Sequence, residues 1–248
     1  MTKLLIDADQ YLFVACAACE LDLRWDDYNH VLQANEAEAW DNFAGAIDKL
    51  AQKFNTQDIT LCFSSTHGGT PNFRTAIDPN YKSSRKGNRK PLCYAALRQE
   101  AADTYHTRAS PTLEADDVMG ILATMPGRDS IICSQDKDMK GVPGKLWTGE
   151  ELLQITEEQA DLWHLTQTLT GDAVDGYKGC PGMGPVGAQK LLKACADNSV
   201  PVWPAIVAAY EKKGLTEEDA LRNARLARIL RWDDWDRKKK VPILWSPQ

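Results

Sequence analysis

Apolar residues along the chain keep two different rhythms. LLID (4–7), ITLCF (59–63) and SIIC (130–133) are short continuous apolar or β-branched runs, the pattern of buried strands. Between them the spacing lengthens. From Trp40, apolar or aromatic residues return at Phe43, Ile47, Leu50 and Phe54, which traces one face of a helix. SPTLEADDVMGILATM (110–125) predicts another helix, with Ser110 or Thr112 as its cap and Pro111 in the first turn. This order of strands and helices predicts an α/β fold, a parallel central sheet covered by helices. After about residue 155 the strand signals stop. Thr156 and Gln159 predict a capping box that opens a helix through Leu169, and two or three more helices reach the end. The expected organisation is an α/β core over 1–155 and a helical region over 156–248 packed on it.

The helix at 110–125 poses a problem of charge. From Val118 to Met125 its only polar side chain is Thr124, so it has almost no face for water. Glu114, Asp116 and Asp117 spread around its axis. Buried together, they cost several kcal/mol each unless something positive meets them. Other acids belong to the same region. Asp7 closes the first strand, and Asp136 and Asp138 follow SIIC directly. Open parallel sheets bind ligands at the carboxyl ends of their strands, so these three are expected on one rim. Asp172 and Asp175 form a further pair in GDAVDG. Any one of these reads as a turn or cap residue. The set, spread over separate elements, is better explained by divalent cations, and all-oxygen ligation selects Mg²⁺ or Mn²⁺.

Composition changes this picture only after the acids are sorted. The 248 residues are 43% hydrophobic and 26% charged, an ordinary water-soluble balance with net charge −6. With the acids named above and Asp9 set aside as a cluster, 26 acids face 29 bases, so the remaining surface is net +3. A polyanionic partner is therefore not excluded. FRTAIDPNYKSSRKGNRKP (73–91) concentrates Arg74, Lys82, Arg85, Lys86, Arg89 and Lys90, with Tyr81 among them. Its place after the second strand favours phosphate contacts, with Tyr81 available to stack on a base. The opening MTKLLIDADQYLF is interrupted by acids and reads as neither a signal peptide nor a membrane span. Seven cysteines without framework spacing fit reduced thiols in a cytoplasm, and Cys16 and Cys19 read as core packing within an apolar helical run.

GCPGMGPVGAQKLL (179–192) contains GxGxxG at Gly182, Gly184 and Gly187. A dinucleotide site needs a strand leading in, whereas DGYKGCPG is turn-rich and Pro181 and Pro185 flank the glycines. No nucleotide cofactor is expected. A hairpin between two helices, offering backbone N–H groups to a phosphate with Lys190 just beyond, fits better.

These motifs, in this order and spacing, resemble the flap-endonuclease superfamily of structure-specific 5′ nucleases. DPNYK, LEADDVMG, DKD, WHL, GDAVDGY and LARIL are similar to the 5′→3′ exonucleases of T-odd short-tailed phages, from about Ile6 to Trp245. The resemblance implies a PIN-like core, a basic helical gateway at about 73–100 and a helix–three-turn–helix motif at about 176–192, which in relatives also holds potassium. It implies two Mg²⁺ or Mn²⁺ ions held by Asp7, Glu114, Asp116, Asp117, Asp136, Asp138, Asp172 and Asp175. Lys82 and Arg85 would steer the scissile phosphate, and Asp9 would orient rather than ligate. The substrate implied is duplex DNA with 5′ ends or flaps, with RNA/DNA hybrids a further candidate, met in a host cytoplasm. Two positions depart from the pattern. Relatives end the second strand with an aspartate where this chain has Ser64, and some carry a lysine where it has Thr170.

Two other readings stay open on sequence alone. LLIDADQ and GDAVD imitate a haloacid-dehalogenase-type phosphatase, although that family expects a strand before the GD, where WHLTQTLT predicts helix. A non-catalytic DNA-binding relative, impaired at Ser64, is the other.

Overall fold

The computed structural model describes residues 2–65, 71–85 and 87–247. The chain opens with β1 (Lys3–Asp7) and α1 (Ala8–Ala18), then a two-stranded ribbon of β2 (Glu20–Arg24) and β3 (His30–Ala34). Helix α2 (Glu36–Lys53) leads to β4 (Ile59–Cys62), and α3 (Arg74–Ile77) and α4 (Tyr94–Thr104) lead to β5 (Thr107–Arg108). Helix α5 (Ala115–Ala123) precedes β6 (Ser130–Cys133), β7 (Gly144–Trp147) and β8 (Leu152–Ile155). Four helices follow: α6 (Glu157–Thr170), α7 (Pro185–Asp197), α8 (Val202–Glu211) and α9 (Glu217–Ala227). A small ribbon of β9 (Trp235–Asp236) and β10 (Val241–Pro242) ends the described chain.

Six strands form one sheet in the order β5-β4-β1-β6-β7-β8, parallel except for β8, which runs antiparallel to β7. The two-residue alternation of β1 sorts its side chains into two cores. Leu4 and Ile6 join α1, α2 and α4 on one face, and Leu5 joins α5 on the other. All three are wholly buried, worth about 1.5–3 kcal/mol each by area. Ala160 of α6 and Ile229–Leu230 enter the same core as α5, so the helical part is seated on the sheet. Leu169, Leu192, Ile206 and Tyr210 form a further core among α6, α7 and α8.

The expected strands at 4–7, 59–63 and 130–133 are present within a residue, and the Thr156–Gln159 capping box opens α6. Other boundaries moved. The helix expected from Ser110 begins at Ala115, with Glu114 at its N-cap, because Thr112 takes a left-handed φ of 67° that a helix cannot include. The basic stretch after β4 consists of α3, a short turn at Ser83–Arg85 and α4. The β2–β3 and β7–β8 pairs were not foreseen, and β9–β10 is an exception to a purely helical C-terminal part. Among the described residues no helix is long and apolar enough to cross a membrane. All seven cysteines are free and buried, Cys16 and Cys19 within the core beside α1.

Candidate active site

Parallel strands deliver the acids to one rim. Asp7, the last residue of β1, caps α1 through Gln10 N–H (3.2 Å) and accepts the Ser134 hydroxyl (2.9 Å). Beyond β6 a short turn carries Asp136, which accepts Asp138 N–H (2.8 Å). The first turn of α5 brings Glu114 and Asp116 alongside. Asp116 is half-buried yet has no hydrogen bond or ion pair among the described residues. Burial pushes its pKa well above the carboxylate range, and Asp7, Asp136 and Glu114 push it further. Burial also raises Asp7 to about 6, with Asp9 and Asp136 adding repulsion against the Ser134 hydrogen bond. Two groups here thus resist ionisation, chiefly because burial strips their hydration and the neighbouring acids add repulsion that Lys82 only partly offsets at Asp116.

The loop after α6 closes the other side. Asp172 exchanges backbone hydrogen bonds with Tyr177 (2.8 and 3.1 Å), and its side chain accepts Val174 and Asp175 N–H. This loop crosses itself at Gly171 and Gly179, both at positive φ. A Cβ on Gly179 would meet Gly171 N at 2.3 Å, and one on Gly171 would meet Lys178 C at 2.4 Å. Only glycine allows that approach. Lys82 leans onto the loop from the basic segment. It sits at φ 52°, donates its backbone N–H to Asp175 O (2.8 Å), and places Nζ 2.8 Å from Glu114 Oε1 and 3.5 Å from Asp175 Oδ2. A bulky residue held at positive φ stores strain, and here the strain lies at the cluster. Lys137 bridges Asp138 Oδ1 and Asp172 Oδ2, 2.8 Å from each. Gln167 Nε2 donates to Asp138 (2.5 Å). As they stand, no three His, Cys, Asp or Glu among the described residues converge on a point that could hold an ion. Two ammonium groups stand between the carboxylates instead.

Residues 2–160 match the family described as 5′-3′ exonuclease, N-terminal resolvase-like domain. The chain belongs to the 5′-3′ exonuclease family. It is 32% identical to an exodeoxyribonuclease of Enterobacteria phage T3 across 99% of this chain and 93% of that protein. An exonuclease of Escherichia phage T7 is 31% identical across 98% and 93%. The fold matches a phage T5 protein co-crystallised with metal ions, at TM-score 0.64 and 14% identity over 92% of this chain and 89% of that one. It also matches the catalytic core of Rad2 in complex with DNA substrate, at TM-score 0.50 and 17% identity over 86% and 68%.

Within this exonuclease several expected site residues have other employment. Asp117 is not available as a ligand. It is fully enclosed, paired twice with Arg74 (2.7 and 2.8 Å), and accepts Leu230 N–H (3.1 Å). Arg74 is no DNA contact for the same reason. It is 2% exposed and also donates to Leu226 O and Arg228 O. Tyr81 cannot stack on a base, since it is buried with its hydroxyl donating toward Glu114 and Asp175 (3.1 and 3.2 Å). Arg89 is exposed but ion-paired with Glu20, while Lys90 is exposed over the Tyr94 ring. Lys86 lies outside the described residues, and only the backbone of Arg85 is described.

Asp9 accepts the Tyr94 hydroxyl (2.6 Å), Ser64 N–H (2.7 Å) and Arg98 (3.2 Å), so its oxygens are already occupied by the protein. Ser64 accepts Ala115 N–H (3.0 Å) and thereby fixes the start of α5. Gly182, Gly184, Gly187 and Lys190 are exposed around the first turns of α7, with Gly184 at the N-cap and Pro185 next. Gly184 has φ −87° and open space where a Cβ would go, so nothing in the protein itself requires glycine there. The phosphatase reading falls with α6, because its second acid motif follows a helix and not a strand. Sequence reasoning missed Lys137, Gln167, Ser134 and the Tyr94–Arg98 clasp on Asp9. Only Lys137, lying between the two acids of DKD, left a local sign.

Proposed function

We propose that the chain is a Mg²⁺- or Mn²⁺-dependent 5′→3′ exonuclease acting on duplex DNA, with cutting of 5′ flaps as a related activity. Asp116 carries this reading: a half-buried carboxylate with no hydrogen-bond or ion-pair partner among the described residues, crowded by Asp7, Asp136 and Glu114 and only partly offset by Lys82, calls for a cation from outside. The hard oxygen donors suit a small divalent ion. Asp7, Glu114, Asp116 and Asp136 would hold one ion, and Asp138, Asp172 and Asp175 a second. When bound, such ions would supply an activated water and positive charge for the leaving oxygen. A T5 flap endonuclease with the same fold, described as a pseudo-enzyme-product complex with DNA and metal ions, supports carrying both partners across.

The chain's own side chains do the rest. Lys82 is held where its ammonium can pass from Glu114 to an incoming phosphate and offset developing charge. Lys90 and Lys190, exposed on separate elements, would track the duplex backbone. The open N-terminus of α7 at Gly184 would meet a phosphate through backbone N–H groups, a grip that reads no sequence. Incubation with 5′-labelled duplex and Mg²⁺ tests the reading. Mononucleotides or short 5′ products are expected. Release of phosphate alone, or a shifted but uncut duplex, would overturn it.

A further inference from the structure

Lys82 and Lys137 both stand between carboxylates, but they are held differently. Lys82 is 19% exposed at its side chain, lies 5.2 Å from the Tyr81 ring centroid, and is pinned to Asp175 through its backbone. The Lys137 side chain is 60% exposed, and among the described residues its ammonium is held by Asp138 and Asp172 alone. Those two carboxylates do not depend on the lysine for their places. Asp138 is held by Gln167, and Asp172 by the N–H groups of Val174 and Asp175. Lys137 therefore neutralises a pair that the fold has already built.

We propose that Lys137 is a displaceable internal counter-ion. Its ammonium occupies the space between Asp138 and Asp172 in the metal-free protein, and it leaves when a divalent cation binds that pair. The inference rests on the metal-site reading above. An ammonium is a compact charge on a flexible stem, and an exposed stem swings into water at little cost. A divalent ion offers the same two oxygens twice the charge. Competition from the lysine thus sets the affinity of that ion and separates it from the ion bound near Asp116.

Calorimetric titration of the whole protein with Mn²⁺ tests this, with melting curves to show that each variant is folded. In wild type two ions should bind with unequal affinity. Lys137→Met should tighten the weaker one about tenfold and leave the tighter one unchanged. Lys137→Arg, which keeps the charge, should stay within a few-fold of wild type. In reductively ¹³C-methylated protein, the Lys137 signal, assigned by its absence from Lys137→Met, should shift as the weaker site fills. Two ions bound with affinities indifferent to Lys137→Met would overturn the inference and leave the exonuclease reading intact. No divalent ion bound at all would overturn both.

Discussion

Asp116 and Asp117 are neighbours in the first turn of α5, and the molecule treats them in opposite ways. Asp117 points into the protein, where Arg74 and Leu230 N–H satisfy it completely. Asp116, one step around the helix, faces the rim with other acids and, among the described residues, no hydrogen-bond or ion-pair partner. A buried carboxylate can be a fastener if its countercharge is built in. It can wait for a ligand if that charge is withheld. A helix with almost no solvent face carries both kinds because successive residues point about 100° apart.

The largest effect that would break the contrast is on folding. Asp117→Ala leaves Arg74 buried without its closest partner, with only Glu114 at 3.7 Å as a remaining carboxylate among the described residues, which costs about 3–5 kcal/mol. Chemical denaturation of the metal-free protein measures it, and a loss below 1 kcal/mol would deny Asp117 its structural part. Asp116→Asn should do the reverse. It should leave stability unchanged or higher while slowing cleavage at least about a thousandfold, or about 4 kcal/mol of barrier. DNA binding measured in Ca²⁺ should persist. Near-normal turnover would remove Asp116 from the ion-holding set.

A smaller effect sharpens the comparison through pH. Asp7 has a folded pKa of about 6 against 3.8 unfolded, so its contribution is full below the lower value and lost as pH rises through the upper. The loss is on the order of 2–3 kcal/mol. Stability of wild type minus Asp7→Asn, followed without metal from acid to neutral pH, should fall by this amount; a flat difference would count against the crowding. Mg²⁺ should accordingly raise the melting temperature more at neutral pH than in acid. The smallest effect belongs to Gly184→Val. Open space at this position predicts an unchanged melting temperature. Duplex affinity should drop up to about tenfold, with a weaker salt dependence. An unaltered affinity would show that no phosphate approaches α7 there.

Much of this was legible in the chain. Short apolar runs located β1, β4 and β6, and parallel topology then required Asp7, Asp136 and Asp138 to share a rim. The division between Asp116 and Asp117 was not legible. It depends on Arg74, far upstream, and on residues 226–230, more than a hundred positions downstream. Arg74 and Tyr81 were misplaced for a related reason. They sit in a basic run that suggests a solvent-facing surface, but α3 packs on α9 with Arg74 turned inward, and Tyr81 in the turn beyond it is buried against Tyr177, Leu226 and Ala227. Lys137 looked like any lysine beside acids, because its second partner, Asp172, comes from a loop that no periodicity links to DKD.

The crossing of Gly171 over Gly179 has a consequence for how Asp172 and Asp175 receive a ligand. The two arms of the loop pack backbone to backbone at this crossing, and two backbone hydrogen bonds tie Asp172 to Tyr177 beside it. Ordering these acids is then part of folding and not part of binding. If these acids take up an ion as proposed, it would meet a loop whose conformational entropy has already been lost, and its affinity need not be reduced by that cost.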